Sequence, residues 1–253
     1  NMGTDVTYAL DKKEYDSATL SSFVVKQLIE DAQNYLHESI DEVVISVPAY
    51  FNARQRQDTK RIGELLGIKV ERLINEPSAA AIACHMDDEY ETFVVFDFGG
   101  GTLDVSLVDC FDTMVEIVSV AGNNRLGGDD FDRLIAEHFL REHGVARQQL
   151  RAQEYAVLLK QAERCKKLLS EQEEVVMHAM VGEQVYESTY TMDRLFEESK
   201  ALLKEIRQVI GRALKDGKMT IHDVDLVVMA GGSSKMPLIQ KYIRHLFHKA
   251  PMV

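Results

Sequence analysis

The hydrophobic positions of the chain follow two periodicities, short runs typical of strands and longer stretches with the spacing of an amphipathic helix. An early stretch places apolar side chains three and four residues apart and predicts a helix with one apolar face, formed by Leu20, Phe23, Val24, Leu28, Ala32 and Tyr35. Runs at 43–48 and 69–74 predict buried strands. Between them, Asn52 with Gln55 has the pattern of a capping box, and Gly67 is a typical helix stop.

From residue 92 onward the pattern is richer in strands. Three successive strands are expected at 92–97, 102–109 and 114–121, with a glycine loop between the first two. The other elements that the pattern predicts are a helix of small residues from Ser78 to His85, a helix from near Asp129, a helix over 152–169, a hairpin turning at Val181–Gly182–Glu183, one long helix from its N-cap at Thr191 to Gly217, a strand at 225–230 and a closing helix. Because strands alternate with helices, the chain belongs to the α/β class.

The same pattern predicts two units, with no Pro- or Ser-rich linker between them. One unit is expected over 16–91, and another over 92–127 together with 205–253. The segment 128–204 is then an insertion into the second unit.

Composition narrows the possible functions. The chain has 253 residues and a net charge of −12, and an acidic surface repels phosphate backbones, so we expect no nucleic-acid partner. The cysteines Cys84, Cys110 and Cys165 form no CxxC pair, which argues against a zinc knuckle or a disulfide framework and favours a reducing, cytoplasmic location. No apolar run has the length of a membrane span and the first residues lack a signal-peptide pattern, so no membrane partner is expected.

The most informative motif is DFGGGTLD at 97–104. Consecutive glycines let backbone N–H groups point at one anion, and this loop joins two strands rather than a strand and a helix. Asp97 could hold a hydrated Mg²⁺, Thr102 offers a hydroxyl to phosphate, and Asp104 lies on the same face as Thr102. The simpler interpretation is a plain hairpin, which the flanking Asp and Thr-x-Asp pattern makes the weaker one.

Three further motifs are weaker when each is taken alone. Glu76 in INEPSAAA follows a strand, where α/β proteins form ligand crevices, although a charge complementing a helix N-terminus would explain it equally. AGGSSKMP at 230–237 places glycines and Lys235 between a strand and a helix, an arrangement that also suits an ordinary turn. ERCKKLLS at 163–170 aligns polar side chains on one helix face, for which a solvated face is the default interpretation.

Taken together, the motifs resemble one family. VPAYFNARQRQDT, LINEPSAAA, FDFGGGTLD, RLGGDDFD and MAGGSSKMP occur in the order found in the ATPase domain of the seventy-kilodalton heat-shock chaperones of the DnaK type, and the compact hairpin at 175–190 is similar to the HscC-like branch. The resemblance covers nearly the whole chain. It implies an actin-like fold of two lobes, each built on a ribonuclease-H-like core, with a nucleotide in the cleft between them.

The resemblance also implies residue roles. Thr102, Glu76 and Asp97 would act around the γ-phosphate, Asp97 and Asp104 would be associated with Mg²⁺ and K⁺, and Pro48 with Arg56 would form the switch toward a peptide-binding domain. The positions that would contact ATP or ADP are Gly100, Gly101, Thr102, Gly128, Glu163, Lys166, Lys167, Ser170, Gly232, Ser233 and Lys235. Lys167 and Lys235 stand where the family pattern has Arg, and an ammonium lacks the flat face of a guanidinium.

The family's first phosphate loop has no counterpart in this sequence, nor does its peptide-binding domain. We therefore expect a fragment truncated at both ends, inactive as an ATPase by itself, in which 1–15 is a remnant of the upper part of lobe I, 16–91 the base of lobe I, 92–127 and 205–253 the base of lobe II, and 128–204 its upper subdomain. The partners that the resemblance implies are unfolded polypeptides, a J-domain co-chaperone and a nucleotide exchange factor.

Two alternatives remain at this point. An actin-like filament protein of the MreB type shares the glycine loop, the EPxAAA segment and the GGDxFD turn, but the 47–59 segment favours the chaperone. An inactive scaffold that only binds partners is the other. Nucleotide-dependent sedimentation of the full-length protein would identify a filament, and undetectable nucleotide binding would identify a scaffold.

Overall fold

A computed structural model describes residues 2–84, 92–111, 114–182 and 184–253. The chain forms two compact units, Asn1–Ile82 and Ala83–Val253. The finer subdivision of the second unit into a base and an upper part stays a prediction.

The first unit joins a hairpin to alternating helices and strands. Its elements are β1 (Thr7–Leu10), β2 (Lys13–Asp16), α1 (Ser17–Leu36), β3 (Glu42–Val47), α2 (Ala53–Leu66), β4 (Lys69–Asn75) and α3 (Glu76–Cys84). Strands β3 and β4 pair in parallel, with α2 as the connection between them. The strands and helices predicted here are confirmed, although α3 begins two residues earlier than expected and His85 lies outside the described residues. The hairpin β1–β2 was not predicted.

Local sequence explains how α2 begins and ends. The side chain of Asn52 accepts a hydrogen bond from Gln55 N at 2.9 Å, and the side chain of Gln55 accepts one from Asn52 N at 2.9 Å. Gly67 ends the helix in the left-handed region, with φ of 68°. Both features confirm the capping box and the glycine stop predicted from the sequence.

Helix α1 is confirmed, but most of its apolar face is not covered. Phe23, Val24, Leu28 and Tyr35 are 54%, 63%, 62% and 84% exposed. The spacing of apolar residues predicted the helix correctly, because helix formation follows local periodicity. Burial of the apolar face depends instead on which other elements pack against the helix.

The second unit is built on a four-stranded sheet. Its elements are β5 (Thr92–Phe98), β6 (Leu103–Phe111), β7 (Met114–Asn123), α4 (Gly128–Glu142), α5 (Ala152–Leu168), β8 (Glu174–Val181), β9 (Gln184–Thr191), α6 (Met192–Glu198), α7 (Lys200–Asp216), β10 (Leu226–Ala230) and α8 (Pro237–Phe247). The strand order is β10-β5-β6-β7, with β5, β6 and β7 antiparallel and β10 parallel to β5. The three successive strands predicted around the glycine loop are confirmed.

One continuous hydrophobic core joins this sheet to the helices and to the β8–β9 hairpin. Phe96, Phe98 and Phe131 are fully buried, and the rings of Phe98 and Phe131 meet edge to face with centroids 6.2 Å apart. Phe131 belongs to α4, so this contact fixes the start of α4 against the end of β5. The core therefore positions the loops at that edge of the sheet.

One predicted helix differs from the structure. The single long helix from Thr191 to Gly217 is wrong, since it is broken at Ser199 into α6 and α7. Ser199 is fully buried, and its hydroxyl donates to Phe196 O at 3.1 Å, a local bond that competes with a continuous helix. The N-cap at Thr191 is confirmed, because its side chain accepts from Arg194 N at 3.2 Å.

The closing helix follows the GGSSKMP segment, as predicted. A 3-10 turn over Gly232–Lys235 precedes α8, which begins at Pro237. The hairpin turn predicted at 181–183 is placed as expected up to Gly182, and Glu183 lies outside the described residues. Among the described residues, none of the helices combines the length and hydropathy needed to cross a bilayer.

Candidate functional site

A glycine turn connects β5 to β6. Gly99 N donates to Thr102 O at 3.0 Å, which closes the turn, and Gly100, Gly101 and Thr102 are exposed to solvent. A Cβ on Gly101 would meet no atom within 4 Å. The predicted loop is therefore an open backbone turn whose amides are accessible to an anion.

Two carboxylates lie beside this turn. Asp97 on β5 and Asp104 on β6 are register partners, so both side chains leave the same face of the sheet. Burial raises the pKa of Asp97, and burial together with the charge of Asp97 raises the pKa of Asp104. Asp104 Oδ1 is buried and has no hydrogen-bond partner among the described residues. Two neighbouring carboxylates repel each other when both are charged, and a bound cation would relieve that repulsion. Carboxylate oxygens are also the ligands that Mg²⁺ prefers.

Glycines make the space that these carboxylates occupy. A Cβ on Gly122 would lie 2.5 Å from Asp104 Oδ1, and a Cβ on Gly231 would lie 2.7 Å from Asp97 Oδ1. Gly231 also adopts a φ of +85°, which side chains rarely tolerate. Neither position could carry a larger residue without displacing an acid, so Gly122 belongs to the site although its sequence context gave no signal.

The turn is tied to the start of α4 by main-chain bonds. Gly128 N donates to Gly99 O at 3.0 Å, and Asp129 N donates to Gly100 O at 2.8 Å. A Cβ on Gly127 would overlap the backbone of Gly100. Gly127, the residue before α4, is thus needed for the close approach of these two chain segments.

Lys166 on α5 is buried, unlike the solvated face considered from the sequence. It is 8% exposed, and its Nζ donates to Gly128 O at 2.9 Å and lies 2.8 Å from Asp132 Oδ1. Burial raises the pKa of Asp132, and the contact with Lys166 opposes that shift. Asp132 was not singled out from the sequence, because its role depends on a lysine that is remote along the chain.

The neighbouring residues of α5 remain at the surface. Lys167 and Glu163 form an exposed ion pair with 2.6 Å between Nζ and Oε1. This pair lowers the pKa of Glu163 and raises that of Lys167. The face predicted from spacing therefore divides into a buried lysine and a solvated pair.

A cavity of about 430 Å³ brings most of the predicted contact positions together. The residues that line it are Gly100, Asp129, Asp132, Glu163, Lys166, Lys167, Ser170, Gly232, Ser233, Lys235 and Met236. They come from the glycine turn, from α4 and α5, and from the 3-10 turn before α8. Asp97, Gly101, Thr102 and Asp104 do not line the cavity and lie on or beside the β5–β6 turn.

The 3-10 turn after β10 reaches this cavity because β10 pairs in parallel with β5, which sets Ala230 beside Asp97. Ser233 is buried, and its hydroxyl occupies the space that a Cβ on Gly128 would need. Lys235 is exposed at the cavity. Gly128 is therefore adjacent to the cavity through Ser233 and Lys166 without lining it.

The remaining predicted residues lie in the first unit. Arg56 donates from Nε to Phe51 O at 3.0 Å and from a guanidinium nitrogen to Asn75 Oδ1 at 2.7 Å. Pro48 O accepts from Phe51 N at 3.1 Å, so Arg56 holds the loop after β3 against the end of β4. Glu76, the first residue of α3, follows Asn75 directly. Arg56 therefore connects the loop of Pro48 to the strand end that carries Glu76.

Sequence comparison assigns the family. The family model described as Hsp70 protein matches residues 1–253. The chain is 39% identical to the chaperone protein DnaK of Thermotoga neapolitana and to that of Thermotoga maritima, and 38% identical to that of Thermosipho africanus. Each match covers 99% of this chain and 44% of the relative, so the chain spans less than half the length of these proteins.

The fold and the site define a chain of the actin-like α/β class with a glycine turn, paired carboxylates and a polar cavity. The chain belongs to the Hsp70 family. The family and the actin-like fold predicted from the motifs are thereby confirmed, and these matches give no support to a filament protein of the MreB type.

Proposed function

We propose that this chain is the nucleotide-binding part of a DnaK-type chaperone, in which binding and hydrolysis of ATP control the binding and release of unfolded polypeptides. The cavity carries this proposal, since four chain segments, the glycine turn, α4, α5 and the 3-10 turn, converge there. Together they bring backbone amides, serine hydroxyls and lysine ammonium groups, which are the groups that bind phosphates and nucleosides. The cavity volume of about 430 Å³ is within the range of small-molecule sites.

The paired carboxylates fit a magnesium ion. Mg²⁺ prefers oxygen ligands and keeps several waters, so two carboxylates at a phosphate site suffice. The orphaned Asp104 Oδ1 and the raised pKa of both acids are the observations that support Asp97 and Asp104 as its holders. When bound there, Mg²⁺ would supply positive charge to the β- and γ-phosphates. K⁺ remains part of the proposal through the resemblance alone.

The residues of the chain then have separate tasks. Backbone amides of Gly100 and Gly101 hold phosphate oxygens, and Thr102 offers a hydroxyl at the same turn. The α5 face, through Glu163, Lys167 and Ser170, contacts the nucleoside beside Gly232, Ser233 and Lys235. Lys166 acts by positioning, because its ammonium fixes Gly128 and Asp132. Glu76 retains the proposed role of orienting the attacking water.

Coupling to polypeptide binding is proposed for the full-length protein. The bonds from Arg56 to the Pro48 loop and to Asn75 support a relay between Glu76 and that loop. A J-domain co-chaperone, a nucleotide exchange factor and a cytoplasmic location follow from the family as parts of the same proposal.

Calorimetric titration of ADP, with and without Mg²⁺, tests the site in the full-length protein. We expect Asp97→Asn and Asp104→Asn to weaken Mg·ADP binding at least about tenfold, a change of about 1.4 kcal/mol, and to change metal-free ADP binding little. Thr102→Ala should lower ATP turnover more than ADP affinity.

Asp109→Asn is the matched control, because Asp109 lies on the same strand as Asp104 and bonds Thr92 Oγ1 at 2.9 Å instead of facing the turn. Equal Mg·ADP affinity and equal turnover in wild type and all variants would remove the site assignment.

A further inference from the structure

A groove separate from the nucleotide cavity crosses the second unit between α6, α7 and α8. Its volume is about 680 Å³, and it is lined by Met192, Asp193, Phe196, Lys200, Leu203, Lys204, Arg207, Leu238, Lys241, Tyr242 and His245. None of the residues in the proposed nucleotide site lines it. The proposed function therefore leaves this surface without a role.

The two long helices present matching stripes to the groove. On α7, the lining residues Lys200, Leu203, Lys204 and Arg207 stand at i, i+3, i+4 and i+7. The lining residues of α8, which are Leu238, Lys241, Tyr242 and His245, have the same spacing. Each stripe spans about 11 Å along its helix, so the groove that the two stripes line is long enough for two turns of a third helix.

The floor of the groove is apolar and fixed. Leu203 and Leu238 are 3% and 6% exposed, and Phe196 is 42% exposed at one end. Tyr242 OH donates to Leu203 O at 3.0 Å, which ties α8 to α7 across the floor. Arg207 lines the groove beside Tyr242; burial raises the pKa of Tyr242, and the positive charge of Arg207 opposes that shift. The groove is preformed and has an apolar surface on which a side chain could anchor.

The rim carries positive charge on a chain whose net charge is −12. Lys204, Arg207 and Lys241 form no ion pair within the described ranges, and of the rim lysines Lys200 is paired, with Glu197 at 2.5 Å. Asp193 is the acid among the lining residues. Cations gathered around an apolar floor select a partner with apolar anchors and acidic flanks.

We propose that this groove docks an acidic amphipathic helix of a partner protein, whose apolar stripe lies on Leu203, Leu238 and Tyr242 and whose carboxylates face Lys204, Arg207 and Lys241. The partner helix needs two to three turns to match the stripes. Its apolar residues would recur at i, i+3, i+4 and i+7.

Fluorescence anisotropy with the nucleotide-free chain tests this proposal. The probe is a labelled 14-residue synthetic peptide with Leu and Phe on one helical face and Glu elsewhere. We expect saturable binding that weakens with added salt, and a loss of at least about tenfold in affinity for the double variant Lys204→Glu/Arg207→Glu. Lys12→Glu/Lys60→Glu, with the same change of charge at exposed positions of the first unit, should bind as wild type does.

Several outcomes would overturn the proposal. They are absence of saturable binding up to about 500 µM peptide, equal binding of a peptide with Lys in place of Glu, or equal loss in the two double variants. Sedimentation of the chain without peptide gives a further overturning outcome. If the chain self-associates and Lys204→Glu/Arg207→Glu abolishes that self-association, the groove binds a second copy of this chain rather than a partner helix. Nucleotide is absent throughout, so failure here is independent of the proposed ATPase site.

Discussion

Lys166 is a charged residue in a buried position, and two acceptors allow it to remain there. Its ammonium donates a hydrogen bond to Gly128 O and pairs with the carboxylate of Asp132. The buried charge is therefore both paired and hydrogen-bonded. The same contacts fix the first turn of α4 beside the cavity. A single side chain therefore contributes to folding and to the shape of the site.

Replacing Lys166 should expose this dependence. We expect Lys166→Met to lower the free energy of unfolding of the second unit by about 3–5 kcal/mol, because the carboxylate of Asp132 would be buried without a partner. The double variant Lys166→Met/Asp132→Leu should recover most of the loss. Urea denaturation followed by circular dichroism measures both, and a double variant as unstable as the single one would contradict the pairing.

Gly128 provides a second prediction at this scale. A methyl group there would overlap the Ser233 hydroxyl and lie 3.1 Å from Lys166 Nζ. Gly128→Ala should therefore reduce ADP affinity at least about tenfold, or about 1.4 kcal/mol, in a calorimetric titration.

The matched control for that titration is Gly211→Ala on α7. A Cβ at Gly211 meets no atom within 4 Å, so this change should leave ADP binding unaltered and stabilise the helix by about 1 kcal/mol. Equal affinities for the two variants would show that the space at Gly128 is not needed.

At the scale of elements, α1 depends on the residue that precedes it. Asp16 accepts a hydrogen bond from Thr19 N at 2.7 Å and forms an ion pair with Arg61 at 2.7 Å. The hydrogen bonds from Thr19, followed by that from Arg61, lower the pKa of Asp16 to about 2. The cap thus joins α1 to α2 and is charged at neutral pH.

This lowered pKa predicts a pH dependence. Because the folded pKa lies below the unfolded value of about 3.9, the cap's stabilisation is complete above about pH 4 and is lost as the pH falls toward about 2. Asp16→Ala should cost about 1–2 kcal/mol near neutral pH. Hydrogen exchange of α1 amides measures both effects, and equal protection in wild type and variant at pH 7 would show that Asp16 does not cap.

At the scale of the whole molecule, apolar surface is covered unevenly. The second unit has a continuous core, whereas much of the apolar face of α1 in the first unit is exposed. The hydrophobic contribution to the free energy of unfolding scales with the apolar area that a residue buries. A buried apolar residue should therefore contribute far more than an exposed one of similar size.

A pair of substitutions tests this dependence on burial within the first unit, where both buried and exposed apolar residues occur. Leu28 is 62% exposed and Ile62 is 3% exposed. We expect Leu28→Lys to change the free energy of unfolding by at most about 0.5 kcal/mol and to reduce binding of a hydrophobic dye. Ile62→Ala should cost about 2–5 kcal/mol. A comparable loss from Leu28→Lys in urea denaturation would mean that the α1 face is packed in solution.

Features with a local signal could be predicted from the sequence. The meander around the glycine turn follows from alternating apolar positions and consecutive glycines, and the limits of α2 follow from Asn52 and Gly67. Motif order was enough to predict the family.

Features that depend on remote contacts could not be predicted. The burial of Lys166 requires Asp132 from another helix, and the need for glycine at Gly122 requires Asp104 from another strand. The break at Ser199 depends on a buried environment that helical spacing does not report. Each of these is a tertiary effect on a locally ambiguous sequence.

The bonds between the glycine turn and the start of α4 involve main-chain atoms at both ends, Gly128 N to Gly99 O and Asp129 N to Gly100 O. Alanine scanning does not detect such a connection, because every residue type except proline keeps the backbone amide donor. Replacing the amide of Asp129 by an ester through chemical ligation would delete one donor and leave all side chains intact. A displacement of α4 would move the glycine turn with it, because the two are joined by main-chain hydrogen bonds. Since these bonds need no particular side chain, the coupling would persist when the side chains change.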